Sequence, residues 1–478
     1  MVPEEGNRMV KVSDQDVQRW TLGEAARAIG AVHTGEDVTM PAIIRIDSRE
    51  VLQGDLFIAL RGERVDGHDF IEEALDRGAS GLVCRPPARG SKLDHLLKKG
   101  IPAILSEDTD GALREMSSVW LEKVNPGSVI GVTGTAGKTT TREMIRAVLA
   151  GSRRVHSPRK SYNTWIGCAL TVLETPPGTD ILLLELGTNR PGEIRSLAKT
   201  YHPGFGVITE VGPGHLEGLK SIRGVLEAKM ELLESPSLRS LSYNFDNELL
   251  SEAIRTSSGG LELLPVGYSS PMYRIVEART DLHSGSPDLV VMIDTPGGRR
   301  EIRAGLFGEH YAYGMAFANV LGDHLKIQPA EQLEALSSFQ ALPGRGRCYL
   351  TDNGYLVIDD SYNANPVSMS AALRSLSSVR IRGKKCAVLG GMGELGENSL
   401  QLHRDVSRLF ESLDLVLLIG ELWNSVFHRD TPPNCRIVDF GDLQGIFTAS
   451  LSPGDLVLFK GSRSFGVERA LGILEGLQ

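Results

Sequence analysis

Gly134, Thr135, Ala136, Gly137, Lys138, Thr139 and Thr140 stand in a row, directly after the apolar run that ends in Gly131-Val132-Thr133 and directly before an amphipathic stretch, Arg142 to Ala150. Glycines in such a turn let backbone N–H groups converge on phosphate oxygens. Lys138 can reach the terminal phosphates, and Thr139 or Thr140 can place a hydroxyl on Mg²⁺. A strict phosphate loop would begin with glycine at 132, where this chain has Val132, so the match is to the variant Gly-x-x-Gly-Lys-Thr-Thr. The expected ligand is ATP or GTP, weighed against a purely structural turn.

Three further residues could carry chemistry. Glu185 ends the apolar run Ile181 to Leu186, at the carboxyl end of a strand where open α/β sheets gather ligand-binding groups. It reads equally as a Mg²⁺ ligand or as a solvated strand-end acid. His215 lies on the glycine-rich turn Gly212-Pro213-Gly214-His215-Leu216-Glu217, and a lone histidine there is more often structural. Lys229 falls on the apolar stripe marked by Ile222, Val225, Leu226, Leu232 and Leu233. A lysine on such a stripe either snorkels, its stem packed and its ammonium in water, or carries chemistry, including a CO₂ adduct that would turn a cation into a metal-binding anion.

The surrounding pattern supplies elements to hold these groups. Ile43 to Ile46 and Asp55 to Leu60 read as strands and Phe70 to Arg77 as a helix, making a small α/β module. A helix over Ala112 to Lys123 ends in Asn125-Pro126-Gly127, a stop signal before the loop strand. Ile181 to Leu186 and Gly206 to Val211 are continuously apolar, as a parallel sheet covered on both faces requires. Leu289 to Asp294 and Arg300 to Leu306 flank Pro296-Gly297-Gly298 and read as a hairpin appended to that domain. Strands at Tyr355 to Asp359, Ala387 to Leu389, Leu415 to Ile419 and Leu456 to Phe459 give a βα rhythm to the rest. The fold class expected is α/β in three domains: a small N-terminal α/β domain over 1–109, a central doubly wound phosphate-loop domain over 110–342, and a C-terminal Rossmann-like domain over 343–478. Gly390-Gly391-Met392-Gly393 lacks the Gly-x-Gly-x-x-Gly spacing, which argues against dinucleotide binding there.

At 478 residues the chain exceeds one core. A net charge of −9 gives no general footprint for nucleic acid or an acidic membrane. Cys84, Cys168, Cys348, Cys386 and Cys435 show no Cys-x-x-Cys spacing, so neither zinc nor a disulfide framework is expected. Met1 to Val12 is polar and charged, and no apolar run approaches the roughly 18 residues of a membrane helix. A cytoplasmic, monomeric enzyme acting on small molecules fits these bounds.

The same residues, taken with Tyr162-Asn163, Ile166-Gly167, Gly308-Glu309-His310, Pro343-Gly344-Arg345, Gly393-Glu394-Leu395-Gly396 and Lys460-Gly461-Ser462-Arg463, resemble the Mur ligase family over essentially the whole chain. Asp360-Ser361-Tyr362-Asn363-Ala364-Asn365-Pro366 resembles the branch that joins D-alanyl-D-alanine to UDP-N-acetylmuramoyl-tripeptide. The Asp-Asn-Pro-Arg of the tripeptide-forming relatives is missing. The N-terminal Asp47-Ser48-Arg49 and Asp66-Gly67-His68 resemble the family's uridine-nucleotide domain. The resemblance implies that the loop from Gly134 to Thr140 binds ATP, that Thr139 or Thr140 with Glu185 holds one Mg²⁺, and that His215 with a carbamylated Lys229 holds a second. It also implies that Asn163 lies near the γ-phosphate, that His310, Arg345 and Asp360 belong to the nucleotide site, and that Ser48, Arg49, Tyr362 and Asn363 contact substrate. The reaction implied is ATP-driven amide formation through an acyl phosphate, which needs positioning and charge neutralisation and no activated Ser or Cys.

Ala136 and Glu210 replace asparagines common in the family, Gly391 stands in a Gly-Asp-Met position, and Gly314 stands where an adenine-contacting asparagine is common. Asn319 is too far along to replace it simply. Competing readings are a sister ligase that adds one amino acid, a phosphate-loop switch or transport ATPase, and a degenerate ligase retained for binding.

Overall fold

In the computed structural model, residues 19–476 are described, save 63, 258, 284, 285, 428 and 429, so the expectation for Met1 to Val12 lies outside the described residues. The chain divides into two compact units, one of residues 1–127 with 166–182, the other of 128–165 with 183–478.

In the first unit, described strands run in the order Val32–Thr34, Ala103–Leu105, Gly81–Cys84, Leu56–Ile58, Ile44–Arg45, parallel apart from the first. Phe57, Ile71, Ala74, Leu82 and Leu97 fill one core. The sequence-read strands are right in kind but shorter, and the helix is Ile71–Asp76, preceded by a 3₁₀ turn over Gly67–Phe70. A longer helix, Thr109–Val124, packs into this same unit. Asp108 caps it by accepting from Gly111 N–H at 2.9 Å, and Asn125 ends it in the left-handed region. Its Trp120 stacks on Trp20 at 5.3 Å, and the buried indole donates to the Thr175 carbonyl at 3.1 Å.

The second unit contains two sheets. The larger runs Gly298–Ala304, Ser286–Thr295, Tyr273–His283, Glu262–Gly267, Ser240–Asn244, Phe205–Ile208, Ser128–Thr133, Ile181–Glu185, Val155–His156. Phe205–Ile208 lies parallel to Ser128–Thr133 and to Ser240–Asn244, and both faces are covered, as their apolar runs require. The hairpin turns where Pro296-Gly297 predicts. It is not an appendage, however. Its first strand pairs antiparallel with Tyr273–His283, which continues the central sheet to its edge. The buried Arg300 anchors it, donating to Asn319 Oδ1 at 2.6 Å, Gln332 Oε1 at 3.0 Å and Asp323 Oδ1 at 2.8 Å.

The second sheet runs Arg347–Leu350, Leu356–Asp360, Leu456–Lys460, Lys385–Leu389, Leu415–Ile419, Cys435–Val438, parallel apart from its first edge. Alternate residues serve opposite cores: Ile358, Leu389, Leu418 and Leu458 face Met369 and Leu373, while Val357, Val388, Leu417 and Phe459 face Phe447 and Leu474. The architecture is the expected α/β one, a small N-terminal layer followed by a doubly wound central domain and a Rossmann-like C-terminal domain. The five cysteines form no disulfide, and burial raises the thiols of Cys84, Cys348 and Cys386 to about 12.

Candidate active site

The loop strand Ser128–Thr133 delivers the chain into Gly134 at φ 149°, and Gly137 at φ 80° begins the helix Lys138–Ala150. A Cβ at Gly134 would lie 2.0 Å from Thr209 Oγ1, so only glycine permits this approach. Thr209 then donates to the Ala136 carbonyl at 2.6 Å, and Thr135 N–H donates to the Glu210 carbonyl at 2.8 Å, bracing the loop against the next strand. Lys138 Nζ donates to the Gly134 carbonyl at 2.7 Å. Burial lowers its pKa, against the opposing pull of Glu185.

Glu185 is almost wholly buried at the strand end the sequence assigned to it. Thr139 Oγ1 donates to its two oxygens at 2.9 and 3.1 Å, Arg142 Nη1 at 3.0 Å and Asn163 Nδ2 at 3.3 Å. Arg142 in turn donates to Glu143, which also takes Arg146 at 2.7 Å. Nothing singled out Arg142 in the sequence. The available signal is its place one turn along the loop helix, on the side that the hydroxyl of Thr139 also serves.

From the C-terminal domain, Arg345 lies over the Tyr362 ring at 4.1 Å and donates to Ser161 Oγ at 2.9 Å. Asp360 takes the buried Lys460 Nζ at 2.6 Å, and Lys460 also donates to the Asn363 carbonyl at 3.1 Å. Asn365 caps the helix Pro366–Ser378 through Ser368 N–H at 2.9 Å while its Nδ2 donates to the Thr135 carbonyl at 3.1 Å. His215 Nδ1 lies 2.6 Å from Glu394 Oε2, and both residues are left-handed, at φ 54° and 62°. His215 draws the Glu394 carboxyl below its ordinary pKa.

Most of these groups border one cavity of about 700 Å³, lined by the loop from Thr135 to Thr141, Asn163, Glu185, His215, His310, Arg345, Asp360, Tyr362 and Asn363 among others, while Gly134, Arg142, Glu143 and Arg146 stand behind it. His310 borders the cavity and keeps an exposed surface. The cavity gathers the glycine-rich loop, two lysines, a buried carboxylate and a hydroxyl within one enclosure. That inventory suits transfer of a phosphoryl group.

Family models match along the chain: Mur ligase family, catalytic domain, over 42–150; Mur ligase middle domain over 132–322; and Mur ligase, glutamate ligase domain, over 344–463. The UDP-N-acetylmuramoyl-tripeptide--D-alanyl-D-alanine ligase of Bacillus subtilis (strain 168) is 31% identical over 439 residues, covering 89% of this chain and 91% of its own. That of Synechocystis sp. is 32% identical, covering 92% and 93%. The chain belongs to the Mur ligase family. Among solved structures, this Mur ligase is similar to MurF from Acinetobacter baumannii (TM-score 0.82, 25% identity, 96% of this chain and 99% of that one) and to MurF from Thermotoga maritima in complex with ADP (TM-score 0.76, 28% identity, 91% and 97%).

Not every expected residue meets in the cavity of this Mur ligase. Lys229 does not line it. Snorkelling is excluded, because the side chain is fully buried and its amine has no partner among the described residues. Burial, with repulsion from Lys138, drives its pKa well below the ordinary lysine value. Ile222, assigned to the same stripe, is exposed, because it opens the helix Ile222–Met230 on the solvent side of its first turn. Ser48 and Arg49 belong to the N-terminal unit. Ser48 is buried and donates to Glu73 Oε2 at 2.8 Å, and Arg49 is exposed and paired with Asp47 at 2.6 Å. Asn319 is fully buried, its amide donating to the Met315 carbonyl at 2.9 Å and its Oδ1 taken by Arg300. Lys460 and Asn365, though in quoted motifs, carried no assigned role in the sequence reading. The carboxyl-end rule finds Lys460, the last residue of an otherwise apolar strand.

Proposed function

We propose that this Mur ligase joins D-alanyl-D-alanine to UDP-N-acetylmuramoyl-tripeptide at the expense of ATP, forming the pentapeptide precursor of peptidoglycan. The observation that carries the reading is the single cavity in which the phosphate loop, Glu185 and the Arg345, Asp360 and Lys460 groups of the C-terminal domain converge. The tripeptide carboxylate oxygen attacks the γ-phosphorus and ADP leaves. The dipeptide amine then attacks the acyl carbon of the resulting acyl phosphate, loses its proton and expels inorganic phosphate. Lys138 and the loop amides bind and orient the phosphates, Asn163 and Arg345 stand where the transferred group would pass, and Asp360 with His310 flanks the nucleotide. Enclosure between two domains keeps water from the acyl phosphate. Tyr362 and Asn363 are assigned to substrate, as are Ser48 and Arg49 on the N-terminal side, in a division of labour over 1–109, 110–342 and 343–478.

A Mg²⁺ ion fits the chain's oxygen donors, since Thr139 and Glu185 already converge at 2.9 Å and this ion takes few protein ligands beside water and substrate phosphate. When bound it neutralises phosphate charge. Among the described residues no group of three or more His, Cys, Asp or Glu could hold a metal by itself. A second ion at His215 needs a further anionic ligand, and Lys229 supports a carbamate reading, because its buried amine has no partner among the described residues and burial disfavours the charged form, which cannot add CO₂. We assign the work to the cytoplasm and to a monomer. No helix among the described residues is long and apolar enough to cross a membrane.

The test is phosphate release from Mg-ATP in the presence of UDP-N-acetylmuramoyl-tripeptide, with D-alanyl-D-alanine, single amino acids or no acceptor. Release that requires the dipeptide, with the pentapeptide nucleotide seen by mass, is the expected result. Release without an acceptor, or preference for one amino acid, overturns it in favour of an ATPase or a sister ligase.

A further inference from the structure

We propose that Asn244 reads the edge of the nucleotide base, its amide held in one orientation by Glu210 and by the backbone of Asp246. The inference rests on the ATP reading above and names the group that would make the site prefer adenine.

Asn244 ends the strand Ser240–Asn244, is only 3% exposed and yet borders the cavity. Its Oδ1 accepts from Asp246 N–H at 3.1 Å, and its Nδ2 donates to Glu210 Oε2 at 2.8 Å. Glu210 is fixed in its turn, accepting from Val211 N–H at 2.9 Å and from Asn247 Nδ2. The amide of Asn244 therefore cannot flip without turning its carbonyl onto a carboxylate. One N–H and one lone pair remain unused by these bonds. A donor beside an acceptor matches the acceptor and amino donor on the edge of adenine. It mismatches hypoxanthine, whose 6-oxo group accepts where adenine donates.

Tyr313, Gly314 and Thr141, which also border the cavity, lack this directionality. Tyr313 gives its hydroxyl to Asp246 Oδ2 at 2.7 Å, and Gly314 has no side chain, with a Cβ there falling 2.8 Å from Met144 Sδ. Thr141 borders the cavity with a hydroxyl, but a hydroxyl donates or accepts alike and cannot tell an amino group from an oxo group.

The test compares ATP, inosine triphosphate and purine riboside triphosphate, which lacks the 6-amino group, by equilibrium binding to the full chain. Lys138→Ala and Asn244→Ala are measured beside the unaltered protein. The unaltered protein is expected to bind ATP about ten- to a hundredfold more tightly than either analogue. Asn244→Ala is expected to lose that preference, with the KM for ATP raised and those for the peptide substrates unchanged. Equal binding of all three nucleotides by the unaltered protein overturns the inference, and so does an unchanged ATP preference in Asn244→Ala. If Asn244→Ala fails to fold, the nucleotide series on the unaltered protein still decides. Lys138→Ala tests the reading underneath: it should weaken all three nucleotides equally, and if it weakens none, the site is not the triphosphate site whatever the base preference.

Discussion

Glu185 is held from three sides, by Thr139, Arg142 and Asn163, and this fixes what substitutions there should do. Glu185→Gln keeps the shape and removes the charge, so activity should fall at least about a hundredfold with little change in melting temperature, as expected for an electrostatic role. Arg142→Met leaves Glu185 buried without its paired guanidinium, at a side-chain exposure of 1%, and leaves Glu143 to Arg146 alone. Chemical denaturation should record a loss of about 3 kcal/mol or more. Lys229→Ala should abolish turnover while bicarbonate in excess or a short carboxylic acid partly restores it, and unmodified mass at Lys229 in active enzyme would count against the adduct.

At the scale of elements, the phosphate loop was legible because its glycines, lysine and threonines lie in one uninterrupted run between a strand and a helix. The cap of the helix Pro366–Ser378 was less so, since Asn365 serves two elements: it caps its own helix and donates to the loop carbonyl of Thr135. Asn365→Ala should cost about 1 kcal/mol from the cap alone and should also weaken nucleotide binding, whereas Asn365→Ser should restore the cap and not the binding. A melting curve beside an ATP titration separates the two effects. The strands Ser240–Asn244, Glu262–Gly267 and Tyr273–His283 escaped the sequence reading. The last intersperses Arg, Glu and Asp with apolar residues, which gives no continuous apolar run, and its length is set by pairing with Ser286–Thr295.

At the scale of the molecule, the second unit brings two sheets around one cavity. Polar contacts join them, Arg345 to Ser161, Asn365 to Thr135, Tyr311 to the Arg345 carbonyl and His215 with Glu394, beside apolar packing of Phe307 and Leu282 against the C-terminal core. Groups of both sheets line the cavity, so the domains should move on nucleotide binding. Arg345→Ala should raise the KM for ATP about tenfold with an unchanged melting temperature, and should reduce the protection from limited proteolysis that ATP gives the unaltered protein.

The sequence by itself determined the α/β class, the glycine-rich loop between its strand and helix, the strand-end position of Glu185 and the family, because these depend on residue types at short spacing and on local apolar periodicity. Tertiary structure decided the rest. Arg142 became the counter-ion of Glu185, 43 residues away, Lys460 the partner of Asp360 across 100 residues, and Lys229 a buried amine and not a snorkelling one. Those outcomes depend on which strand ends lie side by side and on how much water the packed domains exclude, and neither is written in any local run of residues.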